Sequence, residues 1–189
     1  DPDDQIFAPT VKQDVAFGPM NLGLGIEEIE KRVRESLETV RLTGFEDRAP
    51  HHLSTGEKKK VAIAGILAMQ PQVLVLDEPT AGLDPGGAIR LIKLINGMNR
   101  YLGITTIVST HEVDIVPMLA DRVCIMSKGK IIGDGTPLEM FSSPDLIKKT
   151  HLRLPMVAQL MEMLREEGVP IEVKFTLEEA RDELLKVVK

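Results

Sequence analysis

Asp77 and Glu78 follow directly on the run Val73-Leu74-Val75-Leu76. Four apolar residues, two of them β-branched, predict a short strand buried on both faces. In a parallel α/β sheet, ligands bind beyond the carboxyl ends of the strands. Two adjacent carboxylates at such an edge suit a metal ion and a water molecule to be activated. Pro79 stops the strand because it has no N–H for a ladder. Asp84 then caps a helix whose first position is Pro85.

A second candidate is the segment Leu53-Ser54-Thr55-Gly56-Glu57 with Lys58, Lys59 and Lys60, which leads into a helical stretch from Val61 to Met69. Ser54 and Glu57 fit a capping box, so one reading is a well-capped helix start. The other is an anion site, since a helix N-terminus offers free N–H groups and the positive end of a dipole. Gly56 lets a ligand approach the backbone. Asp77, further along the chain, gives the anion reading its weight. A third polar cluster, Ser109-Thr110-His111-Glu112, follows the apolar, β-branched run Ile104 to Val108, which predicts another buried strand. His111 can donate to a phosphate oxygen from that place.

The elements that must hold these groups are legible in outline. Residues 1–9 read as a loop, and Thr10 with Gln13 starts a short helix to about Phe17, with the chain broken at Gly18-Pro19 and again at Gly23-Leu24-Gly25. Ile29, Val33, Leu37 and Val40 repeat at helical spacing, and Gly44 closes that helix. Pro85 to about Asn99 forms the next helix, with Ile89, Leu91, Ile92 and Ile95 as its buried face. Ile115 to Leu119 forms a short helix. Arg122–Met126 and Ile131-Ile132-Gly133 form a hairpin about Lys128-Gly129. Thr136 and Ser143 start two capped helices. Beyond Thr150 come a helix with Met156, Val157, Leu160, Met161 and Leu164 on one face, ending near Gly168, and a final helix capped by Thr176 and Glu179.

Composition bounds the class. The 189 residues carry 43% hydrophobic and 28% charged residues, as soluble globular proteins do, with a net charge of −6. That balance gives no footprint for nucleic acid or an anionic membrane. The single Cys124, in Val123-Cys124-Ile125-Met126, reads as a small core residue, and one cysteine rules out an intrachain disulfide. No stretch is long and apolar enough to cross a bilayer.

Together the motifs resemble an ABC transporter ATPase. Leu53-Ser54-Thr55-Gly56-Glu57 resembles the ABC signature, usually Leu-Ser-Gly-Gly-Gln; Asp77-Glu78 resembles Walker B with its catalytic acid; Ala81-Gly82-Leu83-Asp84 resembles the D-loop, and His111 the switch histidine. Order and spacing match from residue 1 to about 150. The opening Asp1-Pro2-Asp3-Asp4-Gln5-Ile6-Phe7, with Val15-Ala16-Phe17-Gly18-Pro19 and Asn21-Leu22-Gly23-Leu24, is similar to the ATPases of cobalt/nickel and energy-coupling-factor vitamin importers, as is the tail.

The resemblance implies an α/β fold: a partial P-loop NTPase (ABC ATPase) fold with parallel core strands over residues 1–150 and a helical C-terminal extension over 151–189. The helical subdomain would span about 10–70, and the Walker B and switch core about 71–135. It implies an ATP-binding and hydrolysing subunit of an importer for cobalt/nickel or vitamins, using ATP and Mg²⁺. Asp77 would hold Mg²⁺, Glu78 would orient or deprotonate the attacking water, and His111 would contact the γ-phosphate. Ser54, Thr55, Gly56 and Glu57 would face ATP held by the opposite subunit, with Ser54 and Gly56 reaching its γ-phosphate. Asp84 would lie at the dimer interface. The implied partners are a second ABC ATPase subunit, in a homo- or heterodimer, and integral membrane transporter subunits facing Gln5 and Phe7. The implied place is the cytoplasmic side of the cell membrane, as a peripheral protein.

Three departures from the family pattern carry expectations. Thr55 stands where the family has Gly, which disfavours a positive φ there. Glu57 stands for Gln and adds a negative charge, with Lys58, Lys59 and Lys60 as compensation. No Gly-x-x-x-x-Gly-Lys-[Ser/Thr] and no Q-loop glutamine occur in these 189 residues. The chain then reads as the C-terminal two-thirds of such an ATPase, a fragment or an oligomer, inactive alone. In the family the P-loop strand lies mid-sheet, so the strands ending at Asp77 and His111 must close up or leave unpaired edges. Two alternatives stay open: a non-catalytic interaction module docking on partner subunits, and a soluble ABC ATPase of repair or translation, which the opening segment disfavours.

Overall fold

Thr10 adopts an extended backbone and its hydroxyl accepts the Gln13 N–H, so the first long helix starts where the sequence predicts. In the computed structural model, which describes residues 2–143, 146–147 and 152–188, the chain divides into two compact units meeting between Ser109 and Thr110.

The first unit opens with a one-turn helix α1 (Pro2–Gln5) where a loop is predicted, followed by α2 (Val11–Asn21). The predicted break at Gly18-Pro19 does not occur; the helix runs through both residues. Proline clashes with the Cβ of the residue before it, and Gly18 has none. The same glycine allows close packing, since a Cβ there would lie 2.6 Å from Met69 Cγ. The helix stops at the second predicted break, before Gly23, whose φ is +72°.

Helix α3 (Ile26–Thr39) ends five residues before Gly44, the predicted stop. Arg41 takes the left-handed position with φ of +59°. Leu42 N–H donates to Leu37 O at 2.8 Å and Arg41 N–H to Glu38 O at 2.9 Å, a Schellman closure built without glycine. After a 3₁₀ turn (Pro50–His52), α4 (Thr55–Leu67) packs with α2 and α3. Val11, Val15, Leu37, Val40, Val61 and Ala64 are fully buried here.

Strand β1 (Val73–Asp77), helix α5 (Pro85–Leu102) and strand β2 (Thr105–Ser109) complete the unit. The two strands pair directly and in parallel, with Asp77 opposite Ser109. The expectation that β1 is buried on both faces, and that β2 is a buried strand, is corrected. Leu74 is buried, but Val73 is 51%, Val75 68% and Ile107 54% exposed. An apolar run reports a preference for burial; how many faces are covered depends on what packs there, and α5 packs against β2. Leu91, Ile92, Ile95 and Met98 form the buried stripe of α5, whereas Ile89 is exposed.

In the second unit a 3₁₀ turn (Val113–Ile115) leads into α6 (Val116–Leu119). Strands β3 (Val123–Ser127) and β4 (Lys130–Gly135) form the predicted hairpin. Lys128 and Gly129 both have positive φ, as a two-residue turn of matching twist requires. Cys124 faces outward rather than into a core, with its Sγ 3.7 Å from Asp134. Helix α7 (Pro137–Phe141) starts at a complete capping box of Thr136 and Glu139. The helix start predicted at Ser143-Pro144 falls at the edge of the described residues.

Helices α8 (Met156–Glu166) and α9 (Leu177–Val188) follow. Asp114 accepts the Met156 N–H at 2.6 Å and pairs with Arg153, fixing the start of α8. Val113, Phe141, Ala158 and Phe175 form one core cluster; Met161, Ile171 and Ala180 form another. Of the predicted α8 face, Met156 and Leu160 point to solvent. No helix among the described residues is long and apolar enough to cross a membrane.

The left-handed Arg41 gives a test of the α3 terminus. Arg41→Gly removes the Cβ penalty and should stabilise the chain by up to about 1 kcal/mol, read as a higher denaturation midpoint in urea.

Candidate functional site

The carboxyl ends of β1 and β2 meet at one edge. Ser109 Oγ donates to Asp77 Oδ1 across the pair, so a carboxylate and a hydroxyl lie side by side. Asp77 is exposed at this edge. Two hard oxygen groups suit a divalent cation that draws its remaining ligands from water and phosphate. No group of three or more His, Cys, Asp or Glu residues positioned for a metal occurs among the described residues, and Mg²⁺ does not require one.

Glu78 leaves the strand with φ of +45°, an uncommon backbone for a residue with a Cβ. Its N–H donates to Ser109 O at 3.0 Å, extending the β1–β2 ladder by one bond. The chain then turns through Pro79 and Thr80, both buried, to Gly82 at φ of +74°. Asp84 caps α5 as predicted: its carboxylate accepts the Gly87 N–H and lies 3.7 Å from Arg90.

At the start of α4, Ser54 and Glu57 satisfy each other. Glu57 N–H donates to Ser54 Oγ at 3.4 Å, while the Ser54 N–H and hydroxyl donate to Glu57 Oε2 at 2.8 and 2.7 Å. Those bonds hold the Glu57 carboxyl below its ordinary value, the Ser54 hydroxyl first and its N–H second; burial opposes them, and the Arg48 and Lys60 charges add to them. Thr55 is the first helical residue and is not among the positive-φ positions, in line with its β-branch. At Gly56 an added Cβ would meet only Leu83, at 3.6 Å, so the helix start stays open.

The three lysines after the signature segment do not act alike. Lys58 pairs with Asp3 at 2.6 Å. Lys59 donates to backbone carbonyls of the loop after β1. Lys60 is held below its ordinary value by burial first, then by Arg90 and Arg41. The charge facing Glu57 comes from Arg48 and Lys60. His111 is exposed, two residues beyond β2, at the start of the second unit.

A family model described as ABC transporter matches residues 3–81. The energy-coupling factor transporter ATP-binding protein EcfA of Methanocaldococcus jannaschii is 59% identical over all of this chain, which spans 67% of that relative's length. The chain belongs to the ABC transporter ATP-binding protein family. A Methanosarcina acetivorans relative, whose name describes an ABC transporter ATP-binding protein, is 60% identical; this chain spans 58% of its length. Among solved structures, cbiO1 from Clostridium perfringens, part of the ABC transporter complex cbiONQ, superimposes with a TM-score of 0.72 at 49% identity, over 86% of this chain and 64% of that one.

Within this ABC transporter ATP-binding chain, Asp77, Glu78 and Asp84 share one strand and the turn that follows it. Ser54, Thr55, Gly56 and Glu57 share one helix start. Two contacts escape a reading of the sequence. Ser109 reaches Asp77 only through strand register, although its place at the end of an apolar run marks it as a candidate. Lys59 carries no signal that separates it from Lys58 and Lys60.

Glu57 makes the capping box pH-dependent. Its carboxyl is held below the ordinary carboxylate value in the folded chain by the Ser54 hydroxyl and N–H, so its contribution is full above that ordinary value and is lost as pH falls through the lower, folded one. Thermal melts of wild type and Glu57→Gln from pH 7 to pH 3 should show a wild-type advantage that shrinks with acid; a gap constant across that range would contradict this.

Proposed function

We propose that this chain forms the catalytic-acid and signature portion of the ATP-hydrolysing subunit of an importer for cobalt/nickel or a vitamin. The observation that carries this reading is the paired end of β1 and β2: Asp77 bonded to Ser109, with Glu78 following directly. Asp77 would hold Mg²⁺ with the Ser109 hydroxyl at its side. Bound Mg²⁺ neutralises charge on the phosphates. Glu78 would orient the attacking water and take its proton, as a carboxylate near a γ-phosphate can. His111 would donate to the γ-phosphate. Ser54 and Gly56, with Thr55 and Glu57 beside them, would meet ATP held by a second ABC ATPase subunit, where the N-terminus of the 13-residue helix α4 offers N–H groups and its positive dipole end. Asp84 would lie at the interface of the two subunits, and residues 151–189 would form a C-terminal extension. The EcfA and cbiO1 likenesses support the importer assignment.

Docking on membrane subunits would use the segment around Gln5 and Phe7. The Phe7 and Phe17 rings stand edge to face at 4.8 Å and are 65% and 48% exposed. Asp14 accepts the Phe7 and Ala8 N–H groups at 3.0 and 3.1 Å, so the segment is held in place. Exposed aromatics on a fixed backbone suit a partner surface. Such a protein would work at the cytoplasmic face of the membrane.

Two measurements test the reading. In the assembled transporter, Glu78→Gln should lower ATP turnover by about 100-fold or more while leaving ATP affinity within about twofold; turnover near wild type would sink the assignment of Glu78. Phe7→Ala with Phe17→Ala should reduce the fraction of this subunit that co-purifies with the membrane component, and unchanged recovery would remove the docking role. The 189-residue chain alone, which contains no phosphate-cradling Gly-rich loop, should show no ATP turnover.

A further inference from the structure

We propose that Lys59 is a positioning residue for Glu78. It acts as a strut that fixes the loop after β1 from the helix bearing the signature segment. The inference rests on the reading of Glu78 given above.

Lys59 lies on α4, one turn past the Ser54 cap. Its Nζ donates to Pro79 O at 2.7 Å and to Ala81 O at 2.6 Å, and lies 3.4 Å from Glu78 O. An ammonium has three N–H donors and no acceptor. Carbonyl oxygens converging from one loop are its natural complement, and charged donors make the stronger hydrogen bonds. Neither neighbour makes these bonds: Lys58 pairs with Asp3, and Lys60 is half-buried, its charge disfavoured by that burial and by the like charges of Arg90 and Arg41.

The loop needs such a restraint. Glu78 holds a left-handed backbone, φ +45°, which persists only where the surroundings over-determine it. Ser109 O fixes its N–H from one side. On the other side Ala81 N–H donates to Glu78 O at 3.2 Å and Leu83 N–H to Thr80 O at 3.1 Å, closing two successive turns, and the Pro79 and Ala81 carbonyls between them converge on one cation. Lys59 supplies that cation. The direction in which Glu78 leaves its backbone is thereby tied to α4, the helix whose start carries Ser54, Thr55 and Gly56. A displacement of that helix start would be felt at Glu78 through one side chain.

The test is chemical rescue with two readouts. Lys59→Ala removes the ammonium and its stem and leaves space for a small primary ammonium. In the assembled transporter, kcat should fall by about tenfold or more, with KM for ATP within about twofold, because the interaction orients a reacting group rather than binding substrate. Ethylammonium, and not tetramethylammonium, should restore part of the rate. Lys59→Gln, which keeps a donor without the charge, should fall between, and it carries the test should Lys59→Ala fail to fold.

The second readout needs no catalysis. In the 189-residue chain, hydrogen exchange at the Ala81 and Leu83 amides should quicken in either variant and slow again, in Lys59→Ala, with ethylammonium. Unchanged exchange overturns the proposal whatever the turnover. A loss of turnover equal in kcat and KM, indifferent to ethylammonium, overturns it as well. If wild type and Glu78→Gln turn over ATP alike, the catalytic reading of Glu78 fails, and the exchange result still decides whether Lys59 is the strut.

Discussion

The pairing of β1 with β2 governs the site. Parallel strands run the same way, so a single register places both carboxyl ends at one edge, and here that register sets Asp77 opposite Ser109. The ladder extends by one bond, from Glu78 N–H to Ser109 O, before the chain turns. A slip of one residue would send every side chain to the other face and part the carboxylate from the hydroxyl. Everything that Glu78 and Asp84 can do follows from where this edge releases the chain.

The helical part of the first unit supplies the opposing constraint. Helix α4 is anchored by its packing with α2 and α3 and by a reciprocal capping box at its start. Gly18 lies against the Met69 side chain just past the end of α4, which would have to shift to admit a Cβ there. The capping box directs the Ser54 hydroxyl and the Glu57 carboxylate at each other and leaves the helix end open at Gly56. Lys59 then links this helix to the loop after β1 through backbone carbonyls, a contact indifferent to the side chains it restrains. The Lys59 contact and the Asp77–Ser109 contact both bridge segments distant in the sequence.

Much of this was legible beforehand because its causes are local. The strand ending at Asp77, the Asp84 cap with Pro85 behind it, the Ser54 and Thr136 capping boxes and the Lys128-Gly129 turn each depend on a few consecutive residues. The errors lie where tertiary structure overrides a local sign. Gly18-Pro19 reads as a break, yet the missing Cβ lets the helix continue. Gly44 reads as a helix stop, yet Arg41 takes the left-handed position earlier. Cys124 sits in an apolar run, yet it faces outward on a two-stranded hairpin.

The sequence by itself singled out the residues proposed to carry chemistry and determined the local frames that hold them, since carboxylate pairs, caps and apolar runs act over a few residues. Their order along the chain was enough to place the protein in its family. Only the tertiary structure decided that Asp77 meets Ser109, that one face of the β1–β2 pair is left open, and which of three consecutive lysines reaches the loop behind Glu78. Register, layer coverage and helix rotation set those outcomes. Each depends on contacts between segments far apart in the chain, which no local pattern specifies.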